Sequence, residues 1–468
     1  MMRIGSRRKS LDLLRNIMER ILAKIKNYLP EGVFRVLQPA YHFALAFLAA
    51  ARYGFPSRRL IVIGITGTKG KTTTVHLVHE ILQASGAMTA SLSSVRFKIG
   101  EREETNDLKM SMPGRFFVQH FLRRAVAAGC RYMVIEVTSQ GIAQSRHRFI
   151  NFSSAILTNI APEHIESHGN FEKYIRAKLD LFWRLSPDAM AIVNCDDAAA
   201  GRLNASTRAH QARYGRDGIM IGGKKWLVKD LEISDKGITF DIGGHPFNSP
   251  LRGEFNYYNI LAATAVGLNR RIALDTIAEA VRSFSGVPGR MEFVQREPFA
   301  VVVDYAHTPD SLRAVYETWR RENQESSKET PRDPMGQGQA GIKNQKKRLI
   351  CVLGATGGGR DKWKRPEFGR IAAEYCAEVF LTDEDPYDEN PVSILDEIVA
   401  GIPIAEMPRV HKIMDRRQAI GAALRAARPG DTVVITGKGA EPWMMVRGSA
   451  KIPWDDRAIA REELEKLN

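Results

Sequence analysis

At 468 residues and 44% hydrophobic content, the chain is long enough for two or three domains with ordinary globular cores. Its cysteines, Cys130, Cys195, Cys351 and Cys376, lie far apart with no Cys-x-x-Cys pair, which argues against a disulfide framework or a zinc site and suits a reducing cytoplasm. Much of the formal charge of +15 falls in local runs near residues 3–9, 58–59 and 343–348, which suits a generally basic surface or a polyanionic partner: a nucleotide, an acidic substrate or a membrane surface.

Residues 1–58 read as a basic, amphipathic helical prefix with no secretory signal. Ser10 can cap a helix whose apolar positions Leu14, Ile17, Met18, Ile21, Leu22, Ile25 and Leu29 make one stripe, stopped by Pro30. A second apolar segment, 40–51, is shorter than the ~20 residues needed to span a bilayer. Packing on the body of the protein is the simpler reading, and a peripheral membrane contact is the alternative.

Residues 60–65 read as a buried strand, and 75–82 as a helix ending at Gly86. Between them runs Gly64-Ile65-Thr66-Gly67-Thr68-Lys69-Gly70-Lys71-Thr72-Thr73-Thr74. Strand, glycine-rich turn, Lys-Thr and helix make a phosphate cradle. Backbone N–H groups face the anion, Lys71 supplies a point charge, and a hydroxyl can ligate Mg²⁺. Ile65 stands where the general Walker pattern has glycine. An apolar strand at 132–137 carries Glu136 to the edge where a loop-bound Mg²⁺ would sit.

Strands at 155–157 and 191–193 continue an alternating, doubly wound α/β pattern over 59–288, with a β-rich stretch at 226–247. His164, Glu166 and His168 fall close together, which admits either a zinc site or incidental surface histidines. A second α/β unit is expected over 289–468, with strands at 300–303, 348–353, 378–381 and 432–435. The polar stretch 321–347 reads as a flexible surface loop.

Several motifs, in order, resemble the Mur ligase superfamily, ATP-dependent enzymes that join an amino acid to a carboxylate. They are the phosphate loop, Glu136-Val137-Thr138-Ser139, Thr158-Asn159 with Glu163-His164, and Leu251-Arg252-Gly253-Glu254-Phe255-Asn256-Tyr257-Tyr258-Asn259. Later come Gly289-Arg290-Met291-Glu292, Asp304-Tyr305-Ala306-His307-Thr308-Pro309, Arg360-Asp361 with Lys364-Arg365-Pro366, and Gly437-Lys438-Gly439. The likeness is strongest to the branch that adds the third residue of the peptidoglycan stem peptide, a cell-wall role tied to cell shape and division.

This resemblance implies a P-loop-type central domain and a Rossmann-like C-terminal domain behind the short helical prefix. It implies ATP binding by Gly67, Thr68, Lys69, Gly70, Lys71, Thr72, Thr73, Asn256, Arg290, Asp304 and His307. Thr72 and Glu136 would hold one Mg²⁺ and His164 a second. Lys178 matches the family's lysine carbamylated by CO₂, which supports the metal site; Lys71, His164 and Lys178 would be the catalytic groups. A substrate carboxylate would take the γ-phosphate, and an amine would then displace phosphate. Ser139, Gln144, Arg146, Asn159, Arg360, Asp385, Tyr387, Gly437 and Glu441 would bind substrates: a muramoyl-peptide-like acceptor and an amino acid. A cytoplasmic monomer with no nucleic-acid partner is expected.

Departures from the family pattern concern the substrates. The N-terminal domain that grips UDP has no counterpart in the 58-residue prefix, and a lipid-linked acceptor would suit that prefix. Glu384-Asp385-Pro386-Tyr387 replaces the Asp-Asn-Pro-Arg of members that use meso-diaminopimelate, so Asp385 could favour a cationic side chain such as lysine. Rival readings are a folate-glutamylating or other peptide ligase, and a basic membrane- or nucleic-acid-associated NTPase. The joint retention of Glu136, His164 and Lys178 separates a ligase from a bare NTPase.

Overall fold

The computed structural model describes residues 31–108, 110–162, 169–204, 207–325, 347–359 and 361–467. The helix expected at 10–29 lies outside them, as do His164, Glu166, His168 and Arg360.

Helix α1 (Glu31–Arg52) takes in the apolar segment 40–51, with Pro39 inside it. Leu45, Ala46, Ala49 and Ala50 are buried, and the helix packs on helix Arg115–Ala127. A 3₁₀ turn, Pro56–Arg59, leads into β1 (Ile61–Thr66). On this strand Val62 enters one core while Ile63 and Ile65 enter the other. Burial on both faces explains why the run is apolar throughout.

After β1 come α2 (Lys71–Ala84), β2 (Thr89–Leu92), β3 (Tyr132–Glu136), β4 (Phe152–Leu157), α3 (Phe171–Trp183), β5 (Met190–Asn194), β6 (His210–Gly215) and α4 (Glu254–Asn269). The parallel strands lie in the order β2-β3-β1-β4-β5-β6. The chain runs to one side of β1 with β2 and β3, then crosses to the other with β4. A doubly wound sheet opens its ligand crevice at such a reversal, beyond the carboxyl ends of the strands. Antiparallel strands extend both edges: Arg96–Ile99 and Arg102–Thr105 beyond β2, and four between Gly218 and Ser249 beyond β6. The β-rich stretch expected at 226–247 falls within the second set. α4 is buried on nearly every side and packs on α2, which brings Asn256 and Asn259 under the phosphate loop.

The C-terminal sheet contains β7 (Ala300–Asp304), β8 (Leu349–Leu353), β9 (Glu378–Leu381) and β10 (Thr432–Thr436), parallel in the order β7-β10-β8-β9. Val302 and Val434 face one core, and Val301, Val303, Val433 and Ile435 the other.

Two expectations are corrected. The first residues of the loop expected over 321–347 are helical: helix Pro309–Glu325 runs into it, seeded by the buried Leu312, Val315, Tyr316 and Trp319, and 326–346 lie outside the described residues. Cys351 and Cys376 form a disulfide with Cα atoms 6.0 Å apart. Cys376 lies two residues before β9, which pairs with the Cys351 strand β8, so sheet pairing joins cysteines that the sequence separates by 25. Cysteine usage therefore gives no argument for a reducing compartment.

Candidate active site

The phosphate loop is shaped by what closes on it. Gly67 (φ +150°) and Gly70 (φ +78°) are each approached so closely that a Cβ would overlap Thr158 Oγ1 and Asn259 Oδ1 respectively. Only glycine accepts that approach and, at Gly70, that backbone angle. Asn159 clamps Lys69 from both sides: its Oδ1 accepts from Lys69 N at 2.8 Å, and its Nδ2 donates to Lys69 O at 3.1 Å. Lys71 Nζ donates to Gly67 O at 3.0 Å and Thr68 O at 2.8 Å, which fixes a cation at the rim of the loop. The N-terminus of α2 has no side-chain cap, so its first N–H groups are available to phosphate oxygens.

At the end of β3, Glu136 Oε2 accepts from Thr72 Oγ1 at 3.0 Å and from Ser94 N at 2.9 Å. Ser94 Oγ and Thr72 Oγ1 are 2.8 Å apart. A carboxylate beside two hydroxyls is the hard-oxygen donor set that Mg²⁺ accepts. Among the described residues no group of three or more His, Cys, Asp or Glu side chains gathers. Behind the set lies His76, one turn along α2 from Thr72 and buried. Its Nε2 meets Ser93 Oγ at 3.0 Å, and that hydroxyl accepts from Val95 N and Arg96 N. Burial, then the nearby His79 and surrounding cations, hold His76 down to about 3, so its ring is neutral.

Lys178, on α3, is only 2% exposed and donates to Gly67 O at 2.7 Å. Its Nζ lies 4.5 Å from the Tyr174 ring centroid, and the Tyr174 hydroxyl meets Thr68 Oγ1 at 2.9 Å. Ser94, His76, Tyr174 and Asn259 were not singled out from the sequence as site residues. Ser94, His76 and Tyr174 carry no sequence signature, Asn259 closes the 251–259 motif without a role of its own there, and only tertiary contact ties each to the loop.

A cavity of about 620 Å³ separates the two α/β units. Thr72, Glu136, Lys178 and Asn256 line it from the central unit, and Arg290 and His307 from the C-terminal one. Asp304 accepts from Met291 N at 2.8 Å and Ala306 N at 2.7 Å; burial raises its carboxyl above the usual range, opposed by Arg290. The Arg290 guanidinium stacks 4.2 Å from the Tyr305 ring centroid. At the other end, Ser139 begins a short helix capped by Thr138. Arg146 lines the cavity and is held by Gln144 Oε1 at 2.7 Å and by Met112 O. Gln144 thus supports Arg146 and does not itself line the cavity.

Glu441 lines a smaller adjoining pocket of about 60 Å³ with Ser94, Arg290 and Tyr305. It accepts from the Tyr305 hydroxyl at 3.0 Å and from Lys438 Nζ at 2.6 Å. The buried Lys438 also donates to both oxygens of Asp385, at 2.8 and 2.9 Å, and Met445 N donates to Asp385 at 2.6 Å. Lys438 is thus one cation shared by two carboxylates, and Asp385 is ion-paired within the protein. Gly437 (φ +111°) packs so tightly on Glu384 that a Cβ would overlap its carboxylate, and Tyr387 (φ 52°) lies beside Gly358. Asp385, Tyr387 and Gly437 do not line the main cavity.

A phosphate loop that faces a second domain across a two-ended cavity can hold a nucleoside triphosphate against another reactant and shield both from water. That is the arrangement of a nucleotide-dependent ligase. The Mur ligase middle domain matches residues 65–267, and the Mur ligase, glutamate ligase domain matches 289–328 and 338–439. The chain belongs to the Mur ligase family and is an ATP-dependent, amide-forming enzyme. No N-terminal Mur ligase domain is detected.

The chain is 40% identical over 428 residues to a UDP-N-acetylmuramoyl-L-alanyl-D-glutamate–2,6-diaminopimelate ligase of Gloeobacter violaceus, covering 90% of this chain and 80% of the relative. It is 37% identical over 463 residues to a UDP-N-acetylmuramyl-tripeptide synthetase of a Roseiflexus species, covering 92% and 83%. A solved diaminopimelate ligase of the same type superposes with a TM-score of 0.57 at 28% identity, covering 87% and 79%. The folylpolyglutamate synthase of Mycobacterium tuberculosis shares the fold, with a TM-score of 0.63 at 19% identity, covering 84% and 92%.

Proposed function

We propose that this ligase extends a muramoyl-peptide-like acceptor by one amino acid through an acyl phosphate, as a step in peptidoglycan assembly. The observation that carries the reading is Lys178: a buried lysine brought by α3 onto the carbonyl of Gly67 in the phosphate loop. A bare NTPase has no use for it. A buried lysine readily loses its charge, and the neutral amine can take up CO₂. The resulting carbamate would support a metal beside the loop, with His164 as a further ligand.

In this mechanism Lys71 and the loop amides hold the β- and γ-phosphates, and Arg290 reaches a phosphate from the opposite wall. Thr72 and Glu136 would hold one Mg²⁺ of two, and bound Mg²⁺ would offset negative charge on the phosphoryl group. The acceptor carboxylate, oriented by Ser139, Arg146 and Asn159, attacks the γ-phosphorus and ADP leaves. The amine of the incoming amino acid, held near Arg360 and Glu441, attacks the activated carbonyl. Phosphate departs, the amine loses a proton and an amide remains. The protein would act as a monomer in the cytoplasm, with residues 1–58 available for peripheral membrane contact.

ADP release by the purified chain tests the proposal. It should require both a carboxylate acceptor and an amino acid, and oxygen-18 from the acceptor carboxyl should appear in the liberated phosphate. Release driven by nucleic acid or lipid alone would favour the NTPase reading.

A further inference from the structure

We infer that the outer face of α1 docks on an anionic lipid bilayer, lying along it as an interfacial helix. One side of α1 is consumed by packing: Leu45, Ala46, Ala49 and Ala50 are buried. On the other side Leu37, Phe43, Phe47 and Leu48 are 50%, 42%, 47% and 55% exposed, and the spacing carries them along one ridge. The ridge is preformed. Phe43 and Phe47 meet Phe149 edge-on at 5.0 and 5.4 Å between centroids, and Phe47 lies 6.1 Å from Phe55.

Cations border this ridge. Arg148 stacks over Phe43 at 5.0 Å and Arg58 over Phe55 at 4.7 Å, with Arg52 and Arg59 exposed nearby. Residues 32–60 contain no Asp or Glu, and nine of the chain's fifteen net positive charges fall in the first sixty residues. An apolar ridge with a basic border matches the two layers of an anionic bilayer surface, acyl chains beneath phosphate headgroups. Nucleic acid would satisfy the cations but leave Leu37 and Leu48 of the ridge in water. A second copy would set two basic borders against each other. No helix among the described residues is long and apolar enough to cross a membrane, so the contact lies on the surface.

The face is tied to the site. An Arg115 guanidinium nitrogen contacts His42 Nδ1 on α1 at 2.5 Å and donates to Gln144 O at 2.6 Å, beside the cavity-lining Arg146. Docking therefore brings the Arg146 end of the cavity toward the bilayer. This rests on the peripheral-contact reading above and is independent of the ligase chemistry.

Flotation of the full chain with phosphatidylcholine vesicles, with and without phosphatidylglycerol, tests it. The chain should float with the anionic vesicles and stay behind with the neutral ones. Leu37→Ser with Leu48→Ser should cut the bound fraction by about tenfold. Arg52→Gln with Arg58→Gln and Arg59→Gln, which removes three of the nine net charges, should weaken the preference for phosphatidylglycerol. None of these residues lines the cavity, so ADP release in solution should be unchanged. Several outcomes would overturn the docking: no flotation, equal flotation on both vesicles, wild-type flotation of the leucine variant, a dimer in solution that the leucine variant dissolves, or duplex DNA displacing the chain from vesicles. Loss of acceptor-dependent ADP release without vesicles would instead sink the ligase proposal and leave the docking standing.

Discussion

Single side chains divide into those whose chemistry the sequence announced and those whose surroundings redefine them. Lys178 belongs to the first group: its motif suggested a modified lysine, and its burial against Gly67 suits one. Lys178→Ala should abolish turnover while leaving nucleotide binding largely intact, and a short carboxylic acid should partly restore activity. Steady-state kinetics with added acid, beside a nucleotide-binding titration, checks this; full activity in the unsupplemented variant would remove the carbamate role. Glu384 belongs to the second group. Burial pushes its carboxyl up from 4.5 to about 7. The fold thus favours the protonated acid, so its contribution is fully present below pH 4.5 and is lost as pH rises through 7, by about 1.4 kcal/mol per pH unit at most. Glu384→Gln should therefore gain about 1–3 kcal/mol over the wild type at pH 8 and little at pH 4.5. Denaturant melts at the two pH values measure the difference.

Among the elements, the phosphate loop and the turn that backs it carry the sharpest expectations. Gly70→Ala adds a Cβ where Asn259 already sits and asks alanine for φ +78°. The loop should distort at a cost of about 1–3 kcal/mol, and ATP affinity should fall with it. Isothermal titration with a non-hydrolysable ATP analogue reads that loss. His76 acts one step back, holding the Ser93 turn that aims Ser94 at Glu136 and Thr72. His76→Ala should raise the Mg²⁺ concentration needed for half-maximal activity by about tenfold, the usual size for outer partners of a metal site. An unchanged Mg²⁺ requirement would leave His76 as core packing alone. The strand preceding the loop was legible because burial on both faces demands an unbroken apolar run. Ser93-Ser94 was not legible, since a serine pair after a short strand looks like any turn until tertiary packing puts it against Glu136.

For the whole molecule, the two α/β units matter through the cavity they share. Arg290 lines it from the C-terminal side and would complete a phosphate site built mainly by the central unit. Arg290→Ala should lower kcat/KM for ATP by about 10–100-fold, the loss expected for a charge-assisted contact made across a closing cleft. The thermal melt should fall as well, because the guanidinium, stacked on Tyr305 at the cavity wall, also offsets the charge of the buried Asp304. Activity and melting measured on the same preparation separate the two effects. At this scale the cysteines and Asp385 show where sequence reasoning stops. The separation between Cys351 and Cys376 says nothing of strand adjacency, and the residue order around Asp385 does not show that Lys438, 53 residues away, pairs with it.

By itself the sequence determined the phosphate cradle, the Glu136 strand, the succession of strands and helices, and hence the class of chemistry. Each of these is written in local residue order, as spacing, periodicity and the special freedom of glycine. Only the tertiary structure decided which charges are already paired, which hydroxyls gather around Glu136, and which side of α1 remains in contact with solvent. Those outcomes depend on partners far along the chain, and no local pattern encodes a distance between them.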